Sequence, residues 1–109
     1  MNEASIAIDL ETMRDSAAKA CGLLKVLANP DRLMLMCQLS QGELCVSELE
    51  MRLGIRQPTL SQQLTVLREQ GLVSTRRDGK SIFYSIASQE AVAVMAVLYE
   101  QFCVCNKVE

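Results

Sequence analysis

Two kinds of chemistry are offered by the residue types of this chain: hydrogen bonding to base edges, and thiol chemistry. The first is concentrated in Arg56-Gln57-Pro58-Thr59-Leu60-Ser61-Gln62-Gln63-Leu64-Thr65-Val66-Leu67-Arg68-Glu69. Pro58 suits the first helical position, where its missing N–H costs nothing, and Gly71 supplies the stop, so the pattern predicts a helix from about 58 to about 69. Leu60, Leu64 and Leu67 recur at helical spacing and form an inward ridge, leaving Thr59, Ser61, Gln62 and Gln63 around the other side. That outer face carries hydroxyls and amides and almost no charge. Such groups suit the major groove, where Gln pairs bidentately with adenine and Ser or Thr contacts several bases. A merely solvated helix would carry the same face, so the flanking residues have to decide.

The thiols are Cys21, Cys37, Cys45, Cys103 and Cys105. Their number is odd, and the N-terminus Met1-Asn2-Glu3-Ala4-Ser5 lacks the basic and apolar regions of a signal peptide. A static disulfide framework is therefore not expected, and redox chemistry, metal binding and plain burial compete. The chain has no His, which removes both a nitrogen-rich zinc site and the usual base of a thiol enzyme. There is also no Cys-x-x-Cys motif, so no enzyme and no cofactor are expected. Cys21, beside an apolar stripe, reads as a small buried thiol, and Cys37, in an apolar helix, reads by itself as a core thiol. A soft-metal site assembled from Cys103, Cys105 and another thiolate is an alternative.

The elements that position these groups follow from length, charge and period. At 109 residues, half of them apolar, the chain fits one small domain over 1–109 whose core is sufficient if a partner covers part of the surface. No run of eighteen apolar residues appears, so a soluble, cytoplasmic protein is expected. The net charge of −2 is unevenly spread. Between 51 and 80, Arg52, Arg56, Arg68, Arg76, Arg77 and Lys80 stand against Glu69 and Asp78, or 6 − 2 = +4, leaving −6 for the remainder. A basic segment on an acidic body is the footprint of a domain that offers one face to phosphates.

Residues 1–8 read as a frayed end. Leu10, Met13, Ala17, Ala20, Leu24 and Leu27 predict a long amphipathic helix over 10–28, and Pro30 with Asp31 opens a second, central one. A brief strand at Leu44-Cys45-Val46 precedes Ser47, which with Glu50 forms a capping box for a short third helix ending at Gly54. Only three residues separate Gly54 from Pro58, the length of the turn in a helix-turn-helix. Two β-branched and aromatic runs then flank Asp78-Gly79, predicting a hairpin with Arg76, Arg77 and Lys80 at its tip, placed for phosphates or the minor groove. A last helix over 88–105 completes the chain. This one and the first have no task inside the reading unit and are assigned to a dimer interface. The fold class is mainly α with a β-hairpin, a winged helix-turn-helix dimeric through its first and last helices.

That order of elements, together with Leu27-Ala28-Asn29-Pro30-Asp31-Arg32-Leu33 and the 57–69 segment, resembles the ArsR/SmtB family of bacterial winged-helix repressors over about residues 15–105. The resemblance implies a homodimer on double-stranded, inverted-repeat operator DNA that is released by an inducer. At Glu43-Leu44-Cys45-Val46-Ser47 the chain has Ser47 where arsenic-sensing members carry a second Cys, so half that metal motif is missing. The branch typified by BigR, SqrR and HlyU is more similar, with one Cys in the second helix and one near the end of the last. By that resemblance Cys37 and Cys103 are reduced in the DNA-binding state and bridged, directly or through extra sulfur, after a persulfide or oxidant acts. Cys105 departs from the pattern. From the outer face of the 58–69 helix and the basic segment, the DNA contacts expected are Arg56, Gln57, Thr59, Ser61, Gln62, Gln63, Arg76, Arg77 and Lys80. The readings left open are a thiolate-metal-responsive repressor of the same family and a winged-helix protein-interaction module.

Overall fold

The helices of this fold begin where a side chain accepts an orphan backbone amide. In the computed structural model, which describes residues 9–103, Asp9 caps α1 (Leu10–Leu27) by accepting from the Thr12 N–H at 2.7 Å. Asn29 caps α2 (Pro30–Leu39) through the Arg32 N–H at 3.1 Å, and Ser88 caps α5 (Gln89–Phe102) through the Ala91 N–H at 3.1 Å. Each satisfies a donor that the first turn leaves unpaired. Asn29 is extended, as a residue before proline should be, and this breaks α1 from α2. The expectations for residues 1–8 and for Cys105 fall outside the described residues.

Between α2 and α5 lie β1 (Leu44–Cys45), α3 (Val46–Leu53), α4 (Thr59–Glu69), β2 (Val73–Asp78) and β3 (Ser81–Ile86). The strands form one antiparallel sheet in the order β1-β3-β2, so the brief strand joins the wing as its third member. Cys45 pairs with Phe83, and this corrects the start of α3. The helix begins two residues earlier than predicted: Cys45 takes the cap position and Glu48 Oε1 accepts its N–H at 3.0 Å, in place of the Ser47 and Glu50 box. Pairing with β3 holds Cys45 extended at φ −91° and ψ 170°, which is the conformation a helix cap needs. The hairpin turn also shifts by one residue. Asp78 pairs with Ser81, leaving Gly79-Lys80 as the turn, and Gly79 adopts φ 65° at its first position, the pattern of a type II′ turn.

Leu35 and Met36 of α2, Leu49 of α3, and Leu60, Leu64 and Leu67 of α4 are the largest fully buried side chains. The predicted leucine ridge of α4 is therefore the centre of the core. By contrast α1 buries only Val26 and Leu27, while Leu10, Met13 and Leu24 are 59%, 51% and 53% exposed. On α5, Val97, Tyr99 and Phe102 also stand out into solvent. Cys21, expected to be buried, is exposed, because α1 packs through its C-terminal end only. Cys37 is likewise exposed rather than in the core. Among the described residues, no helix is long and apolar enough to cross a membrane.

Candidate nucleic-acid interface and dithiol pair

The reading helix is held by its neighbours on one side and open on the other. Gly54, at φ 70°, ends α3, and Ile55 is buried beneath the turn, which orients the start of α4. The Gln57 side chain then does what Pro58 lacks the group to do. Its Oε1 accepts from the Ser61 N–H at 3.0 Å and from the Ser61 hydroxyl at 2.8 Å, capping the helix. Thr65 donates its hydroxyl to the Ser61 carbonyl at 2.8 Å. Thr59 and Gln63 are half-buried, whereas Ser61 and Gln62 are exposed. Gln63 Oε1 accepts from Arg32 Nη1 at 2.9 Å.

The basic residues divide in the same way. Arg76 is occupied: its Nε and Nη2 each lie 2.8 Å from a Glu43 carboxylate oxygen, and its guanidinium stacks 4.8 Å from the centre of the Phe83 ring. This bidentate pair ties the wing to the loop before β1, and the guanidinium holds the Glu43 carboxyl below the usual carboxylate range. Arg56, Arg77 and Lys80 are exposed, and among the described residues their side chains form no ion pair. Of the four basic residues predicted to contact DNA, three thus keep unpaired charged ends, and Arg76 holds its charge in a fixed position.

Cys37 lies on a different face. Cys37 of α2, with Ser40 and Gln41 just past its end, lines a cleft of about 340 Å³ opposite Val92, Met95, Ala96 and Tyr99 of α5. Those α5 positions recur at three and four, and the next step along the stripe is Cys103, whose N–H donates to the Tyr99 carbonyl at 2.8 Å to cap the helix. The α5 stripe that lines the cleft opposite Cys37 therefore leads, one turn on, to Cys103. Although the Cys37 residue is solvent-accessible, the cleft shelters its sulfur: burial pushes the Cys37 thiol up, and the Cys103 thiolate adds repulsion.

A group with its folded-state pKa raised holds a proton that the unfolded chain releases, so stability falls as pH rises from the ordinary thiol value through the raised one. Cys103→Ser removes the repulsion and keeps the burial. The alkaline midpoint of the Cys37 iodoacetamide rate should accordingly move to lower pH in that variant, part-way to a free thiol. Superimposable pH–rate profiles would show that the sulfurs do not interact. Among the described residues, no group of three or more His, Cys, Asp and Glu is placed to hold a metal ion.

Residues 29–75, from the cap of α2 through the reading helix into the wing, match the model described as "Bacterial regulatory protein, arsR family". The chain is also 55% identical over 96 residues to the biofilm growth-associated repressor of Agrobacterium fabrum, covering 88% of this chain and 82% of the relative. The chain belongs to the ArsR family. Two solved structures share the ArsR winged helix-turn-helix. The transcriptional repressor BigR from Xylella fastidiosa is similar at 49% identity and a TM-score of 0.81, over 89% of this chain and 99% of that one. Reduced HlyU from Vibrio cholerae is similar at 42% identity and a TM-score of 0.82, over 86% and 99%. This ArsR-family chain is therefore a DNA-binding transcriptional regulator and not an enzyme, with the winged helix-turn-helix that its residue pattern predicts.

Proposed function

We propose that this chain is a cytoplasmic, homodimeric repressor over residues 1–109 that leaves its operator when Cys37 and Cys103 become bridged by a reactive sulfur species or an oxidant. The observation that carries the reading is the facing of Cys37 and the Cys103 stripe across the α2/α5 cleft, with the electrostatic influence of one thiol on the other. A small persulfide RSSH suits a cleft of this size. One thiolate attacks its outer sulfur and expels RSH, leaving a protein persulfide. The second thiolate attacks the protein sulfur of that persulfide and expels hydrogen sulfide, so two thiols are oxidised to a disulfide as RSSH is reduced to RSH and hydrogen sulfide. Attack on a further RSSH before closure leaves extra sulfur in the bridge. Bridging also removes the repulsion between the two thiols.

The exposed apolar faces of α1 and α5 support dimerisation through those helices. Two reading helices about 34 Å apart require an inverted repeat. Gln57, Thr59, Ser61, Gln62 and Gln63 lie at the groove, and Arg56, Arg77 and Lys80 supply salt-sensitive affinity. Arg77→Ala should lower the slope of log affinity against log salt by about 2, one phosphate contact per subunit. An unchanged slope would remove Arg77 from the interface.

The deciding experiment treats the reduced protein separately with an organic persulfide, a peroxide and a thiophilic metal, maps the products by mass and follows operator affinity in parallel. A Cys37–Cys103 bridge that forms as DNA is released is the expected result. Release by metal alone, with both thiols unmodified, would instead identify a thiolate-metal repressor.

A further inference from the structure

Arg32 touches three helices at once. Its backbone lies in the first turn of α2, and its half-buried side chain reaches back across the end of α1. There Nε donates to the Val26 carbonyl at 2.7 Å and Nη2 to the Lys25 carbonyl at 3.4 Å. Both acceptors belong to the last turn of α1, whose carbonyls lack intrahelical partners and whose negative end favours a cation. The remaining arm, Nη1, donates to Gln63 Oε1 of α4 at 2.9 Å.

We infer that Arg32 is a positioning residue for sequence reading, which sets Gln63 in α4 as a hydrogen-bond donor toward DNA. A guanidinium has donors only, whereas an amide has a carbonyl end and an amino end. Arg32 therefore draws Oε1 inward and leaves the Nε2 amino group foremost. An unrestrained Gln recognises adenine by presenting both ends of its amide side by side, to N6 and N7. Held by Arg32, Gln63 instead matches edges rich in acceptors, either N7 and O6 of guanine or O4 of thymine, and opposes the N4 amino group of cytosine. The planar fork is itself anchored on main-chain carbonyls of α1, so the amide is oriented before DNA arrives and loses little freedom on binding. This inference rests on α4 being the helix that enters the major groove, as proposed above.

The test is selection of binding sites from a pool of randomised duplexes by the full-length reduced chain and by Gln63→Ala, Gln63→Glu and Arg32→Lys. The parent should enrich a two-fold motif in which one symmetry-related pair of positions favours guanine or thymine. Gln63→Ala should lose that preference, about fivefold or more, at that pair alone. Gln63→Glu keeps an acceptor for Arg32 and exchanges the outward donor for an acceptor, so preference at the pair should move to cytosine or adenine, whose edges carry amino groups. Arg32→Lys keeps a cation at the end of α1 without the fork, so adenine should become acceptable there.

Weaker binding by Arg32→Lys to an unchanged motif would mark Arg32 as merely structural and overturn the inference. The Gln63 variants keep the inference open to refutation even if Arg32→Lys fails to fold. A parent motif indifferent to Gln63 would overturn the inference alone, whereas no motif from the parent would overturn it together with the operator reading.

Discussion

Replacing Cys37 with Ser, or Cys103 with Ser, is expected to abolish operator release by an organic persulfide while changing the affinity of the reduced protein by no more than about twofold. Both residues are exposed, so neither substitution opens a cavity, and Ser keeps the approximate shape without the sulfur nucleophile. The predicted loss of response is large because the bridge would join α2 to the end of α5, and α2 packs directly against the reading helix. A coupling of about 1–3 kcal/mol, the usual range between two sites, corresponds to a release of roughly five- to 150-fold in the parent. Each single variant should show a ratio near unity, since one thiol cannot close the bridge. Operator titrations before and after persulfide treatment measure this, and a parent-like response in both single variants would refute the pairing.

Leu64→Ala should act on the same helix through stability. Leu64 is 1% exposed and lies in the ridge that α4 turns toward the core. Truncating a leucine in such a site costs about 2–5 kcal/mol, from lost transfer energy and the cavity left behind. That is a large share of the roughly 5–15 kcal/mol that holds a domain together, and each kcal/mol lowers the melting temperature by about 4–8 °C in a domain of this size. Gln62→Ala, on the exposed face of α4, is the matched contrast. Its stability should change by no more than about 0.5 kcal/mol, with the loss appearing in operator affinity instead. Melting curves at equal protein concentration decide the matter, because the proposed dimerisation would make stability concentration-dependent. Coincident curves for Leu64→Ala and the parent would show that the ridge does not carry the fold.

Much of this architecture was legible in the order of residues. Leu60, Leu64 and Leu67 mark the buried side of α4 because helical spacing reports which face of an element is apolar. The passage from Gly54 to Pro58 limits the turn to helix-turn-helix length, and the β-branched runs after Gly71 announce the wing. The proposed pairing of Cys37 with Cys103 comes from family resemblance, since periodicity places each thiol on a helix and not beside another helix. Boundaries read from local signals were less secure. Ser47 and Glu50 had the spacing of a capping box, yet the box lies at Cys45 and Glu48 because β1 pairs with β3 and ends the extended segment there. Gly79 with Lys80, rather than Asp78 with Gly79, makes the turn because Asp78 still has a strand partner in Ser81.

The sequence by itself determined the elements, their order, the apolar ridge and the basic segment, all properties of residues close together along the chain. Only the tertiary structure decided which polar groups remain free for a partner. Arg76 looks like any other cation of the wing until Glu43, thirty-three positions earlier, is found holding it. Gln63 looks like Gln62 until Arg32 is found at its carbonyl. Even the exposure of Cys21 follows from α1 docking by one end. Local pattern fixes which face of an element is buried, but a hydrogen bond or ion pair between distant residues exists only after packing has brought their elements within about 3 Å of each other.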